Sequence, residues 1–283
     1  MNARLHLIAL AAGLLATGSH ADELADKGRD IFNKNEHAVV TVQAVIKTTN
    51  PANTRSTGPT ESKQELTGTV IDPSGLTVLA LSSVDPAEFY HRLSDDVKME
   101  TQVNDLKILL DDGTEIPAEV VLRDQDLDLA FIRPKSKLST PMAAVDLSKA
   151  TPAKMLEPVI ALNRLNRAAG RAYAASIERI VAVIQKPRTF YIPGSTSSSA
   201  SLGSPAFALD GNVVGVFVMR GVGGGDTASR NSMRENMSVI LVPAADILKG
   251  AKQALEAKGD TEKPAEKPAL APATTATNTA TGK

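Results

Sequence analysis

The apolar residues of this chain fall into many short runs and only two helical stripes. The run Ala38-Val39-Val40-Thr41-Val42-Gln43-Ala44-Val45-Ile46 is rich in β-branched residues, which pack well on a pleated surface. Further runs at 66–71, 77–81, 106–110, 116–122 and 129–132 predict more short strands. Residues 49–65 between the first two are polar and carry Pro51, Gly58 and Pro59, so a long surface loop is predicted there. A second series of strands is predicted at 158–162, 171–185, 204–209, 212–219 and 237–242. Asp72-Pro73-Ser74-Gly75 places Pro early and Gly last in a tight turn, and Asp111-Asp112-Gly113-Thr114 and Asp210-Gly211 put Asp-Gly where a hairpin needs a positive φ. Strands at this spacing, with a helix only at the end, indicate an all-β fold, read as two barrels in succession.

The helical stripes lie at the two ends. Residues 22–35 carry Leu24, Ile31 and Phe32 among charges, a weak amphipathic helix. Pro243 opens a second helix, Ala244, Ala245, Ile247, Leu248, Ala251 and Leu255 share one face, and Gly259 stands beyond its end. From Asp260 onward Lys, Glu, Pro, Ala and Thr dominate and Leu270 is the one sizeable apolar residue, a composition that buries too little to order itself. At the start, Arg4, the apolar run 5–17 and Ser19-His20-Ala21 have the three parts of an export signal, too short to span a bilayer comfortably. The expected organisation is a signal peptide at 1–21, a helical segment at 22–36, a barrel domain at 37–258 and a disordered tail at 259–283. Within the domain, barrel one takes 37–135, barrel two 136–243 and the closing helix 244–258. The expected location is the periplasm, with cleavage after Ala21.

Composition removes several function classes. Among 283 residues, 31 basic side chains face 32 acidic ones, a formal net charge of −1, so there is no surplus of cations to hold nucleic acid or an anionic membrane. The absence of Cys removes disulfides, thiolate metal sites and Cys nucleophiles. Of the four His, His6 and His20 lie in the signal segment, leaving too few imidazoles for a His-rich metal site. No metal and no cofactor are expected. Gly221-Val222-Gly223-Gly224-Gly225 lacks the Lys-Ser/Thr of a phosphate cradle and is read as a mobile loop beside a cleft. Arg164, Arg167 and Arg171 form a basic cluster suited to an acidic partner or a solvated turn.

Three stretches resemble one family. Gly68-Thr69-Val70-Ile71-Asp72-Pro73-Ser74-Gly75 looks like the hairpin that precedes the catalytic His in HtrA/DegP-type trypsin-like serine proteases. Asp112 to Val121, followed by Asp124 and by Asp128-Leu129-Ala130-Phe131-Ile132, is similar to the stretch that carries their catalytic Asp. Gly203-Ser204-Pro205-Ala206-Phe207-Ala208-Leu209-Asp210-Gly211-Asn212-Val213-Val214-Gly215-Val216 is similar to the segment that follows their catalytic Ser. Order and spacing agree over most of the chain. The resemblance implies a trypsin-like double β-barrel with its site between the barrels.

Residue by residue, the resemblance also implies a broken triad. Such chemistry needs a nucleophilic Ser, an imidazole to take its proton and an acid to hold the imidazole. The acid maps onto Asp128. The His position falls on Ser83, or on Ser82 with a one-residue slip, and a Ser hydroxyl is far too weak a base. The nucleophile position falls on Leu202. Ser201 and Ser204 flank it as the alternative nucleophiles, while His37 and His91 lie outside the matched positions. Asp128 also has a purely structural reading, with Asp124 and Asp126, as a turn cap bonding backbone amides. Leu202, Gly203, Ser204 and Val218 are the residues expected to line the binding cleft.

The expected function is that of a catalytically inactive pseudoprotease that binds a peptide or envelope protein between its barrels, with no PDZ domain. The alternatives are an active serine endopeptidase with a rearranged site, and an envelope scaffold acting through its tail.

Overall fold

The computed structural model describes residues 19–49, 58–93, 99–194, 202–221 and 237–257. The apolar core of the expected signal, the glycine-rich loop from Val222, Ser201 and the expected tail lie outside the described residues.

Among the described residues, twelve strands form two closed six-stranded barrels. Barrel one contains β1 (Val39–Thr49), β2 (Thr60–Val70), β3 (Thr77–Ala80), β4 (Glu100–Leu109), β5 (Glu115–Asp124) and β6 (Leu129–Pro134), closed in the order β1-β2-β3-β6-β5-β4. Barrel two contains β7 (Pro158–Arg164), β8 (Tyr173–Ile184), β9 (Phe190–Pro193), β10 (Pro205–Ala208), β11 (Val213–Gly221) and β12 (Met237–Pro243), closed as β10-β11-β12-β9-β8-β7. Every strand pair is antiparallel. Helix α1 (Ser19–Asn35) precedes barrel one, the short helices α2 (Leu81–Val84) and α3 (Pro86–Leu93) follow β3, and α4 (Ala244–Glu256) closes the chain's described part. No helix among the described residues is long and apolar enough to cross a membrane.

Two expectations change in detail. Residues 60–65, read as part of a loop, extend β2, where Thr60 to Glu65 pair with Thr48 to Gln43 of β1. Their side chains are mostly exposed or half-buried, so polarity there marks an outward-facing hairpin end. The four-residue β9 was not anticipated; one register pair, Leu241 with Tyr191, joins it to β12, and so short a run carries little period.

Three apolar clusters follow from strand alternation. Val42, Ile46, Leu79, Ile108 and Ile132 fill barrel one, and Val159, Ile180, Val214, Phe217 and Leu241 fill barrel two. The third lies between them, joining Val78, Leu129 and Phe131 of the first barrel to Val216, Val218 and Val242 of the second. Ile31 of α1 and Ile247, Ala251 and Ala254 of α4 complete it. Gly250 of α4 packs so closely on Phe131 that a Cβ there would lie 2.7 Å from the ring. The barrels therefore share one continuous core, and any site between them is held on both sides by close packing.

Candidate functional site

Asp128 sits at the turn into β6 with a left-handed φ of 57°, an uncommon conformation that Asp tolerates better than most residues. The turn buries its side chain to 2% exposure and aims it at the start of α2. Leu81 N donates to the Asp128 carbonyl at 2.9 Å. Ser82 N donates to Oδ1 and Ser82 Oγ to Oδ2, both at 2.8 Å. From the second barrel, Met219 N donates to Oδ2 at 2.9 Å. Burying a carboxylate without donors is costly, and these charge-assisted bonds offset the loss of water. Asp128 thus fastens α2 to β11 across the two barrels.

Of the two serines considered opposite Asp128, it is Ser82 that touches it. Ser83 is half-buried one position further along the helix, turned away by about 100°. Neither described imidazole reaches the place. His37 Nδ1 lies 3.1 Å from both Asp111 Oδ2 and Tyr173 Oη. His91 is exposed on α3.

The turn before β10 holds Leu202, Gly203 and Ser204. Leu202 is half-buried and packs against the cluster between the barrels. Gly203 has a φ of 92°, and a Cβ on it would lie 2.0 Å from the Thr67 carbonyl oxygen. Its carbonyl accepts from Thr69 Oγ1 at 2.7 Å, and its N–H donates to the Phe217 carbonyl at 2.7 Å. Ser204 is fully buried, and its hydroxyl donates to Asn163 Oδ1 at 3.3 Å, an oxygen that also accepts from Thr67 Oγ1 at 3.1 Å. The hydroxyl proposed as an alternative nucleophile is therefore part of a polar seam between β2 and β7. Ser201, the other alternative, lies outside the described residues.

Val218, expected to line the cleft, is fully buried in the shared core; so are Gly203 and Ser204 in their turn. The strand continues outward, and it is the next residues that meet solvent. A recess of about 380 Å³ opens there, with Asp126, Leu127 and Asp128 on one wall and Arg188, Met219, Arg220 and Gly221 on the other. Sequence reasoning missed these second-barrel residues because Val216-Phe217-Val218 is buried on both faces, and the sequence does not mark where that burial ends.

Two of the three arginines of the basic cluster find their acids within the chain, while Arg167 is exposed and forms no ion pair among the described residues. Arg171 Nη2 lies 2.5 Å from Glu65 Oε1, and Arg171 Nε is 3.2 Å from both carboxylate oxygens. The Arg171 hydrogen bonds hold the Glu65 carboxyl below its ordinary range. Arg164 Nη1 donates to Asp111 Oδ1 at 2.6 Å, and its guanidinium carbon lies 4.0 Å from the Tyr173 ring centre. Burial pushes the Asp111 carboxyl up, but hydrogen bonds from Tyr173, Arg164 and His37 outweigh it and leave it low. Burial, with the bond to Asp111, pushes the Tyr173 phenol far up. Among the described residues no group of three or more His, Asp or Glu is placed to hold a metal ion.

Among solved structures, the crystal structure of the MamO protease domain from Magnetospirillum magneticum, in its apo form, is similar at 16% identity with a TM-score of 0.48. The match covers 77% of this chain and 98% of that one. No curated protein matches the sequence. The model of the trypsin-like peptidase domain matches residues 31–216, more than half of the chain, and with two closed antiparallel barrels around a shared core the chain belongs to the trypsin-like peptidase family.

Proposed function

We propose that this chain is an exported, periplasmic pseudoprotease of the trypsin-like family, which holds an extended peptide or a segment of an envelope protein between its barrels without cleaving it. The observation that carries this reading is the partner set of Asp128. The carboxylate that would orient an imidazole is instead bonded to the Ser82 hydroxyl and to the amides of Ser82 and Met219. The remaining groups support it. Leu202 has no nucleophile, the Ser204 hydroxyl is buried on Asn163, and His37 is engaged by Asp111 and Tyr173. With neither base nor attacking oxygen assembled among the described residues, the rate enhancement that a triad supplies would be lost.

Peptide holding is supported by the edge of β11. Pairing of β11 with β10 ends at Val216, while its pairing with β12 runs to Gly221. Phe217 N and O turn toward the Ser204 side. The two-residue period then directs the backbone groups of Met219 and Gly221 the same way, beyond the end of β10; Met219 N is taken by Asp128 Oδ2, so the Met219 carbonyl and the Gly221 groups are what an incoming strand would pair with. Such an edge accepts an added strand, and pockets beside it select alternate side chains.

The test is labelling of the full chain with a fluorophosphonate probe. No label above the heat-denatured control is expected; stoichiometric labelling of any Ser would overturn the inactive assignment.

A further inference from the structure

Resting on that reading of the groove, we infer that it selects an extended segment carrying an acidic side chain, which Arg220 binds. Two carboxylates and two guanidinium groups line the recess. Asp126 is bonded by Arg188 at 2.9 Å, and Asp128 is bonded by Ser82 and Met219. Arg220 differs: its guanidinium carbon lies 4.8 Å from the centre of the Phe190 ring, and among the described residues no carboxylate forms an ion pair with it.

The ring contact fixes the orientation of a side chain that would otherwise be free. A guanidinium positioned in advance loses less entropy when a carboxylate arrives, and its planar fork bonds both oxygens. Arg220 follows Val218 by two residues on β11, so it lies on the strand face that meets barrel one. A segment added at the Met219 and Gly221 edge would place the residue opposite Arg220 on that same face. An Asp or Glu there meets the guanidinium; a Lys there meets like charge, which costs affinity.

The experiment uses the full chain and a set of fluorescein-labelled nonapeptides with a Val/Ser/Gly background and one central residue, Asp, Glu, Asn, Gln or Lys. Binding is read by fluorescence anisotropy. The acidic peptides are expected to bind about tenfold more tightly than their amide counterparts at low salt, with the preference shrinking as salt screens the pair. Arg220→Gln should bring acid and amide peptides within about twofold of each other, and Arg220→Glu should move the preference to the Lys peptide. Thermal melts confirm folding of each variant, and Arg220→Lys, which keeps the charge without the fork, should retain part of the preference. Binding by the wild type that ignores the central residue, or a preference that survives Arg220→Gln, overturns the role of Arg220 while leaving groove binding in place. If none of the peptides binds the wild type, the groove reading itself falls.

Discussion

At the scale of single residues, the decisive atom is Asp128 Oδ2. It accepts from Ser82 Oγ and from Met219 N, so the position that an imidazole N–H would need is already filled twice. Leu202→Ser should therefore give no cleavage of unfolded casein, because a hydroxyl without a base is not activated. Adding Ser82→His puts an imidazole on the residue that faces Asp128, whereas Ser83→His would carry it about 100° away. We expect turnover above background only from Leu202→Ser combined with Ser82→His, and even then well below that of an intact triad. Casein cleavage by Leu202→Ser alone would show that some other group serves as base. Asp128 was legible in the sequence because the motif ending in Leu129-Ala130-Phe131-Ile132 marks it. The contact with Ser82 was not, because it depends on the left-handed φ at Asp128 and on where α2 begins, and a short apolar run fixes neither.

At the scale of elements, turns were easier to read than ends. Gly75, Gly113 and Gly211 all have positive φ, as the Asp-Pro-Ser-Gly and Asp-Gly signatures require. In the first of these turns Asp72 Oδ1 accepts from Ser74 N at 2.9 Å, the local bond that favours Asp there. Strand ends were less legible: polar residues continue β2 outward to Thr60, and β11 passes from full burial at Val218 to the open recess within three residues. The first limit is set by how far β1 continues as a partner and the second by what the other barrel covers, and local pattern encodes neither. The turn into β10 carries a sharper constraint. At Gly203 a side chain meets the Thr67 carbonyl at 2.0 Å, an atom fixed in the β1–β2 ladder. Gly203→Ala should cost about 3 kcal/mol or more by overpacking and backbone strain together. Urea denaturation checks it; a loss under about 1 kcal/mol would mean that the turn moves freely away from β2.

At the scale of the whole molecule, the two barrels are joined by a shared apolar core and by ion pairs that cross it. Arg171 and Arg164 of the second barrel hold Glu65 and Asp111 of the first, and Arg188 holds Asp126. Arg164 and Arg171 of the basic cluster seen in the sequence thus form an internal clamp, legible as charge but not as to its partners, since 106 residues separate Arg171 from Glu65. The pH dependence follows from the direction of each shift. Glu65 and Asp111 have folded pKa values below their unfolded ones, so their stabilisation is present above about pH 4 and is lost as pH falls through the folded values. Tyr173 is raised; its contribution is present below about pH 10 and is lost as pH rises beyond that. Stability should be flat between these limits. Arg171→Met removes the Glu65 partner while keeping an unbranched stem. Since both side chains are only partly exposed, the loss at pH 7 should be about 1–2 kcal/mol, between the exposed and buried regimes. The difference from wild type should shrink between pH 7 and pH 2 as Glu65 takes up its proton. Urea unfolding of both proteins at the two pH values measures this; an equal deficit at both would assign the role of Arg171 to packing of its stem, leaving the clamp without an electrostatic part at this position.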